Sequence, residues 1–291
     1  MPQKNNKLLL ENTLHQKDFE LLRYLLGVVL LGVFLFADFS SISRNIAEEV
    51  KEDFEISHTE NILATSWYVF DGKKVVSEKN SNTPYPLASL IKPFTLLTVL
   101  PYTKDTITIS RDAVREKGDS RLREGDTYTK EELSTLALHH SSNDAIYALR
   151  ENTEEDVFTA SYNLILRELS LSSFFTSNNT GLDMESRAAV FGNAKDIDTT
   201  MRVFAFNYPE IAKVSTKNIL NIRDLSFENT NPIVENFKSL TLSKTGYTDE
   251  SGGNLVLLFE NGASIVILGS TFNERFSDAW YLYEKYINST L

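Results

Sequence analysis

Pro86-Leu87-Ala88-Ser89-Leu90-Ile91-Lys92 is the stretch on which the reading of this chain turns. A serine opens an apolar, helix-like run from Leu90 to Leu100, and a lysine follows three residues later. Residues three apart on a helix lie one above the other on the same face. The spacing therefore brings the Lys92 amine to the Ser89 hydroxyl. A serine is a poor nucleophile at neutral pH until a partner takes its proton, and a neutral amine is such a partner. Taken alone, the pair is also what an ordinary surface helix carries by chance. Pro93, next in the chain, has no N–H and crowds the Ser89 carbonyl, so the helix start has to adjust locally.

Two later stretches change the odds. Leu138-His139-His140-Ser141-Ser142-Asn143-Asp144-Ala145 contains Ser-x-Asn, and Ser243-Lys244-Thr245-Gly246-Tyr247-Thr248 contains Lys-Thr-Gly. Ser-x-x-Lys, Ser-x-Asn and Lys-Thr-Gly in this order mark the penicillin-interacting serine enzymes. Acyl transfer needs an activated hydroxyl, a proton shuttle and an anion-binding strand edge, and the three motifs supply one each. Two neighbouring lysines also depress each other's protonation, which favours a neutral Lys92.

The chain has 291 residues, enough for one large domain or two small ones. Its formal charge of −11 argues against a nucleic-acid partner, because no basic stripe offsets phosphate repulsion. Cysteine is absent, which excludes disulfides and thiolate metal sites and fits an extracytoplasmic bacterial protein. His139 and His140 point about 100° apart on a helix and cannot chelate one ion together. No metal is expected.

Taken in order, residues 1–23 are polar and carry Lys4, Lys7, Lys17 and Arg23. An uninterrupted apolar run follows from Tyr24 to Ala37. A spanning helix usually needs about 17 to 25 residues. Adding Leu21, Leu22 and Phe39, with Arg23 snorkelling, makes the run adequate. The basic excess before it predicts a cytoplasmic N-terminus and an exported remainder. A cleavable signal peptide would need a small-x-small site; only Ser41-Ile42-Ser43 resembles one, so a retained signal-anchor over 24–39 is the expectation. Residues 40–60 read as an acidic stalk, and 61–291 as the catalytic domain at the outer face of the cell membrane.

Ile62–Phe70, Asp71-Gly72 and Lys73–Glu78 read as strand, turn and strand. Thr106–Ser110 reads as a short strand. Thr129 with Glu132 is a capping box opening a helix through Leu138. The Ser141 stretch is then a turn before a helix over Asp144–Arg150. Thr153 with Asp156 reads as the cap of a further helix, and 193–206 as another. Asn261-Gly262 between two apolar runs is a strong hairpin signal, and an amphipathic helix closes the chain over Glu274–Ile287. Strands at both ends with helices between predict an α+β fold: one antiparallel sheet from N- and C-terminal strands, with an all-helical lobe between.

From about residue 60 onward the chain resembles the serine-type D-alanyl-D-alanine carboxypeptidases, the low-molecular-mass penicillin-binding proteins. The resemblance rests on Leu87–Lys92, Ser141–Ala145, Asn179-Thr-Gly-Leu-Asp183, Lys244–Glu250, and Val266–Thr271 followed by Arg275 and Phe276. It implies a β-lactamase/transpeptidase-like fold and removal of the terminal D-Ala from peptidoglycan stem peptides. β-Lactams would be covalent inhibitors, and no cofactor is implied. Carried over residue by residue, Ser89 is the acylated nucleophile, Lys92 its general base and Ser141 the relay to the leaving amine. Asn143 binds the substrate backbone, Lys244 supplies positive potential, and Thr245 meets the substrate carboxylate. Gly246 permits close approach of substrate to the strand, the N–H groups of Ser89 and Tyr247 form the oxyanion hole, and Arg275 lies near the carboxylate.

Rival readings use the same motifs. A class A-like β-lactamase needs a glutamate-held water, but Glu168 in Arg167–Leu171 lacks the asparagine of Glu-x-x-Leu-Asn. A peptidoglycan endopeptidase shares the chemistry and cuts cross-links. A non-catalytic penicillin-binding sensor would keep the pocket without turnover; Pro93 favours it and the complete motif set opposes it.

Overall fold

In the computed structural model, residues 62–117 and 120–291 are described. The apolar alternation of the two ends builds one five-stranded antiparallel sheet. Its strands, in chain order, are β1 (Ser66–Phe70), β2 (Val75–Lys79), β3 (Leu240–Thr248), β4 (Gly252–Phe259) and β5 (Ser264–Ser270). They lie side by side in the order β3-β4-β5-β1-β2. The first strand thus pairs with the last, Ser66 opposite Leu268 and Phe70 opposite Ser264. β3 forms one edge.

Both faces of the sheet are covered, which is why β4 reads as a continuous apolar run. Side chains alternate between faces along a strand, and Leu255, Val256, Leu257 and Leu258 are all buried. Leu242, Val256, Leu258, Val266 and Leu268 share one core with the helices. On the other face Phe259 stacks on Tyr283 at 5.5 Å between ring centroids. Truncating Phe259 to alanine removes a buried ring and costs about 3–5 kcal/mol.

Helix α1 (Lys92–Val99) is buried along its whole length. It is ringed by α2 (Lys130–His139), α3 (Asn143–Glu151), α4 (Glu155–Glu168) and α5 (Ala194–Asn207). A helix apolar on all sides belongs in an interior, and Lys92 is carried in with it. The capping box opens α2: Thr129 Oγ1 accepts from Glu132 N at 3.1 Å, and Glu132 Oε2 accepts from Thr129 N at 2.8 Å. Asn193 caps α5 by accepting from Asp196 N at 2.8 Å. The closing helix, α6, spans Glu274–Tyr286.

Three expectations are corrected. The lobe between the terminal strands is not all helical. It also holds Tyr85–Pro86 and Phe175–Thr176 on either side of Val190–Gly192, Thr106–Thr108 against Thr127–Thr129, and a hairpin of Ile219–Ile222 with Leu225–Glu228. Pairings of two to four residues are too short for alternation to be visible, and the hairpin turns through Arg223 at φ +55° where a glycine signal is absent. Ser110 belongs to no strand; it caps the short helix Arg111–Arg115. Thr153 does not cap α4, whose N-cap is Glu154 without a side-chain bond. The Thr153 hydroxyl is buried and shares a hydrogen bond with Thr103 instead, at 3.3 Å.

The described residues belong to one compact unit, Thr59–Leu291. The expected tail, anchor and stalk over 1–60 lie outside the described residues. Among the described residues no helix is long and apolar enough to cross a membrane.

Candidate active site

Ser89 sits in a tight 3-10 turn, Ala88–Ile91, and the α-helix begins only at Lys92. That offset is the local adjustment Pro93 demands. In a regular helix the Ser89 carbonyl would accept from residue 93, which has no N–H; here it accepts from Lys92 N. With Pro93 in the first turn its missing donor costs nothing. The serine–lysine geometry survives, Lys92 Nζ lying 2.6 Å from Ser89 Oγ.

Lys92 Nζ also meets Asn143 Oδ1 at 2.7 Å and the Thr180 carbonyl at 2.8 Å. A neutral amine has two N–H bonds and one lone pair. The two oxygens that carry no proton take the N–H groups, which leaves the lone pair facing the only partner able to donate, Ser89 O–H. Burial brings the Lys92 pKa down to about 7, against the opposing pull of the Asp144 and Glu116 carboxylates. The expected mutual depression of the lysines acts chiefly on Lys244. Its pKa is held well below the usual value by burial first, then by Lys92 and Arg275. For Lys92 the cause is burial.

Ser141 follows the end of α2 with φ +61°, a left-handed conformation unusual for a residue with a side chain, and Ala88 before Ser89 has φ +47°. Each such residue costs on the order of 1–3 kcal/mol and persists only when its surroundings fix it. The surroundings here are clear. Ser142 caps α3 by accepting from Ala145 N at 2.9 Å, which also sets Asn143 at the helix start. Asn143 Nδ2 donates to the Lys117 carbonyl, turning its oxygen to Lys92. Lys244 Nζ reaches across from β3 to Ser141 Oγ at 2.8 Å.

Edge strand β3 closes the site. Lys244 and Thr245 are buried, Tyr247 is exposed. A Cβ on Gly246 would come within 2.8 Å of the Leu87 carbonyl and 3.3 Å of Ser89 N. The expected purpose of Gly246, room for substrate, is thus preceded by a structural one: it lets the strand lie against the Ser89 turn. Thr245 Oγ1 donates to Thr230 Oγ1 at 2.6 Å. Arg275 Nη1 donates to the Gly246 carbonyl at 2.9 Å.

The motifs alone did not reveal Thr180, Thr230 or Glu116 as neighbours of this cluster. The Asn179–Asp183 stretch stood out in the sequence, yet nothing local shows that its carbonyl at Thr180 meets Lys92. Gly181, at φ +86°, packs so closely that a Cβ would overlap the Ala88 carbonyl oxygen at 2.1 Å. His139 is buried, with burial taking its pKa down to about 4, so its Nε2–H donates to the Lys217 carbonyl at 2.9 Å. Glu168 lies exposed at the end of α4 against Arg167, and the carboxylates that act on Lys92 are Asp144 and Glu116 instead. Among the described residues no group of His, Asp or Glu has the makings of a metal site.

The chain is similar to known proteins. Residues 53–270 match the family of D-alanyl-D-alanine carboxypeptidases. A D-alanyl-D-alanine endopeptidase of Pseudomonas aeruginosa is 27% identical over 198 residues, 63% of this chain; the match spans 62% of that relative's length. Penicillin-binding protein D2 from Listeria monocytogenes, solved with ampicillin bound, superposes with a TM-score of 0.66 at 24% identity, covering 78% of this chain and 98% of that one. The D-alanyl-D-alanine carboxypeptidase from Mycobacterium tuberculosis gives 0.68 at 21%, covering 78% and 93%. The two structures share the fold. With the family match spanning well over half its length, the chain belongs to the D-alanyl-D-alanine carboxypeptidase family.

Proposed function

We propose that the protein is a serine D-alanyl-D-alanine carboxypeptidase that removes the terminal D-Ala from peptidoglycan stem peptides. The observation that carries this reading is the buried Lys92 amine, 2.6 Å from Ser89 Oγ with its other partners all acceptors. Ser89 Oγ attacks the carbonyl carbon of the penultimate D-Ala, and its proton passes to Lys92 Nζ. The oxyanion is held by the N–H groups of Ser89 and Tyr247. The C–N bond then breaks as the proton held on Lys92 passes through Ser141, which Lys244 holds, to the leaving D-Ala nitrogen, so Lys92 is neutral again. Water attacks the resulting ester and gives a proton to Lys92, which passes it to Ser89 Oγ as the ester C–O bond breaks, restoring the serine hydroxyl and the neutral amine. Asn143 binds the substrate backbone and Thr245 the terminal carboxylate.

The chemistry needs neither metal nor cofactor. β-Lactams mimic the substrate and acylate Ser89; the ampicillin-bound relative supports this. The test is D-Ala release from a D-Ala-D-Ala peptide by the purified chain. No release, with stable labelling by a fluorescent penicillin, would favour a sensor.

The Pseudomonas aeruginosa relative favours a second reading, an endopeptidase that cuts cross-links with the same machinery. Digestion of purified cross-linked muropeptides separates the two. We further propose that residues 24–39 anchor the protein in the cell membrane with the N-terminus cytoplasmic and residues 61–291 outside. The apolar run and its basic flank support this. Removing residues 1–40 should shift the protein from the membrane fraction to the soluble one with activity retained.

A further inference from the structure

Arg275 is an odd residue to serve as a surface anchor for a substrate carboxylate. Only 3% of it is exposed. Its guanidinium is held between two rings, 4.6 Å from the centroid of Phe272 and 4.7 Å from that of Phe276. Among the described residues it forms no ion pair, and its Nε is buried without a partner. The hydrogen bond it does make is from Nη1 to the Gly246 carbonyl. Its stem crosses Gly253, where a Cβ would meet Arg275 Cδ at 3.1 Å. Gly253 is the residue paired with Tyr247 across the β3–β4 ladder.

Those contacts bear on one peptide unit. The Gly246 carbonyl and the Tyr247 N–H belong to the same planar trans peptide, so they point in opposite directions. Fixing the carbonyl from behind fixes where the N–H points in front. A cationic donor on the carbonyl also polarises the unit, which strengthens its N–H as a donor. β3 is an edge strand, and at an edge the peptide plane has a neighbouring strand on one side only.

We propose that Arg275 is a positioning residue for the oxyanion hole, holding the Gly246–Tyr247 peptide so that the Tyr247 N–H faces the reacting carbonyl. The inference rests on the assignment of that N–H, with Ser89 N–H, as the oxyanion donor pair. The expected contact with the substrate carboxylate is the rival role.

A ligand without a carboxylate separates the two roles. Phenylboronic acid accepts Ser89 Oγ at boron while the serine proton passes to Lys92, and the adduct presents a boron-bound oxygen to the oxyanion hole. Affinity is read by ¹¹B NMR on the full chain, and acylation by penicillin G is followed in parallel with thermal melting. Arg275→Gln should weaken phenylboronic acid about tenfold, less than the about 10²–10³-fold loss from deleting an oxyanion donor outright, and slow penicillin acylation by a similar factor. Slower penicillin acylation with unchanged boronate affinity would make Arg275 a carboxylate anchor and overturn the proposal. No change in either ligand overturns it too. Should Arg275→Gln not fold, Arg275→Lys keeps the charge but loses the fork held between the rings; undiminished boronate affinity in it is equally fatal. Failure of the wild-type chain to take penicillin G on Ser89 removes the serine-acylation reading itself, and this inference with it.

Discussion

The pH dependence of Ser89 acylation tests whether Lys92 is the base and whether burial makes it one. With its pKa near 7, Lys92 is about one-tenth neutral at pH 6 and about nine-tenths neutral at pH 8. The second-order rate of acylation by a fluorescent penicillin should therefore rise about tenfold between those values and then level off. An ordinary lysine, titrating at 10.5, would give an increase of about a hundredfold over the same interval with no plateau below pH 10. Glu116→Gln adds a second arm. The Glu116 carboxylate raises the Lys92 pKa, so removing its charge should move the rising limb to lower pH without altering the plateau. The second-order constant reports groups of the free enzyme, which is the state described here. A rate that climbs log-linearly through pH 9, or one flat from pH 5.5 upward, would refute the reasoning.

Other variants probe separate parts of the site. Ser89→Ala should abolish both penicillin labelling and D-Ala release with the melting temperature retained; peptide cleavage persisting in it would refute the nucleophile. Lys92→Ala should slow acylation by about 10²–10⁴-fold, read by the same labelling assay. Stability carries a sign as well. The Lys92 amine titrates lower folded than unfolded, so the unfolded chain holds more protons between about pH 7 and 10.5 and wild-type stability should gain on Lys92→Met across that window; urea titrations at several pH values decide it. Gly181→Ala combines a positive φ with an overlap on the Ala88 carbonyl. It should cost at least about 1–3 kcal/mol and disturb Ser89, so undiminished melting and labelling would count against that packing. A β-lactam's leaving amine stays tethered to the acyl group and obstructs water, and Glu168 is not placed to activate one. Intact-mass spectrometry should show a one-to-one Ser89 adduct lasting minutes or more, whereas rapid turnover would favour a β-lactamase.

What the sequence determined by itself is whatever depends on neighbours along the chain. Serine and lysine three apart share a helix face whatever surrounds them, the Thr129–Glu132 box opens a helix locally, and Asn261-Gly262 turns a hairpin because Gly262 adopts φ +81°. The apolar runs at both ends then had to pair, which gave the sheet. Tertiary structure decided the rest, because the deciding partners are distant in sequence. Whether Lys92 is a base depends on its burial among α2 to α5. What holds its proton-bearing face depends on Asn143 and on a carbonyl 88 residues away at Thr180. Thr230 beneath Thr245 and Arg275 behind Gly246 belong to no motif. A hydrogen bond between distant segments leaves no periodic trace in the chain; it exists only once the hydrophobic core has fixed where the segments pass. Pro93 shows the same limit in reverse. Locally it argues against the helix, and only the 3-10 turn ahead of it, held by the packed strand and the Gly181 turn, shows how the serine and lysine stay together.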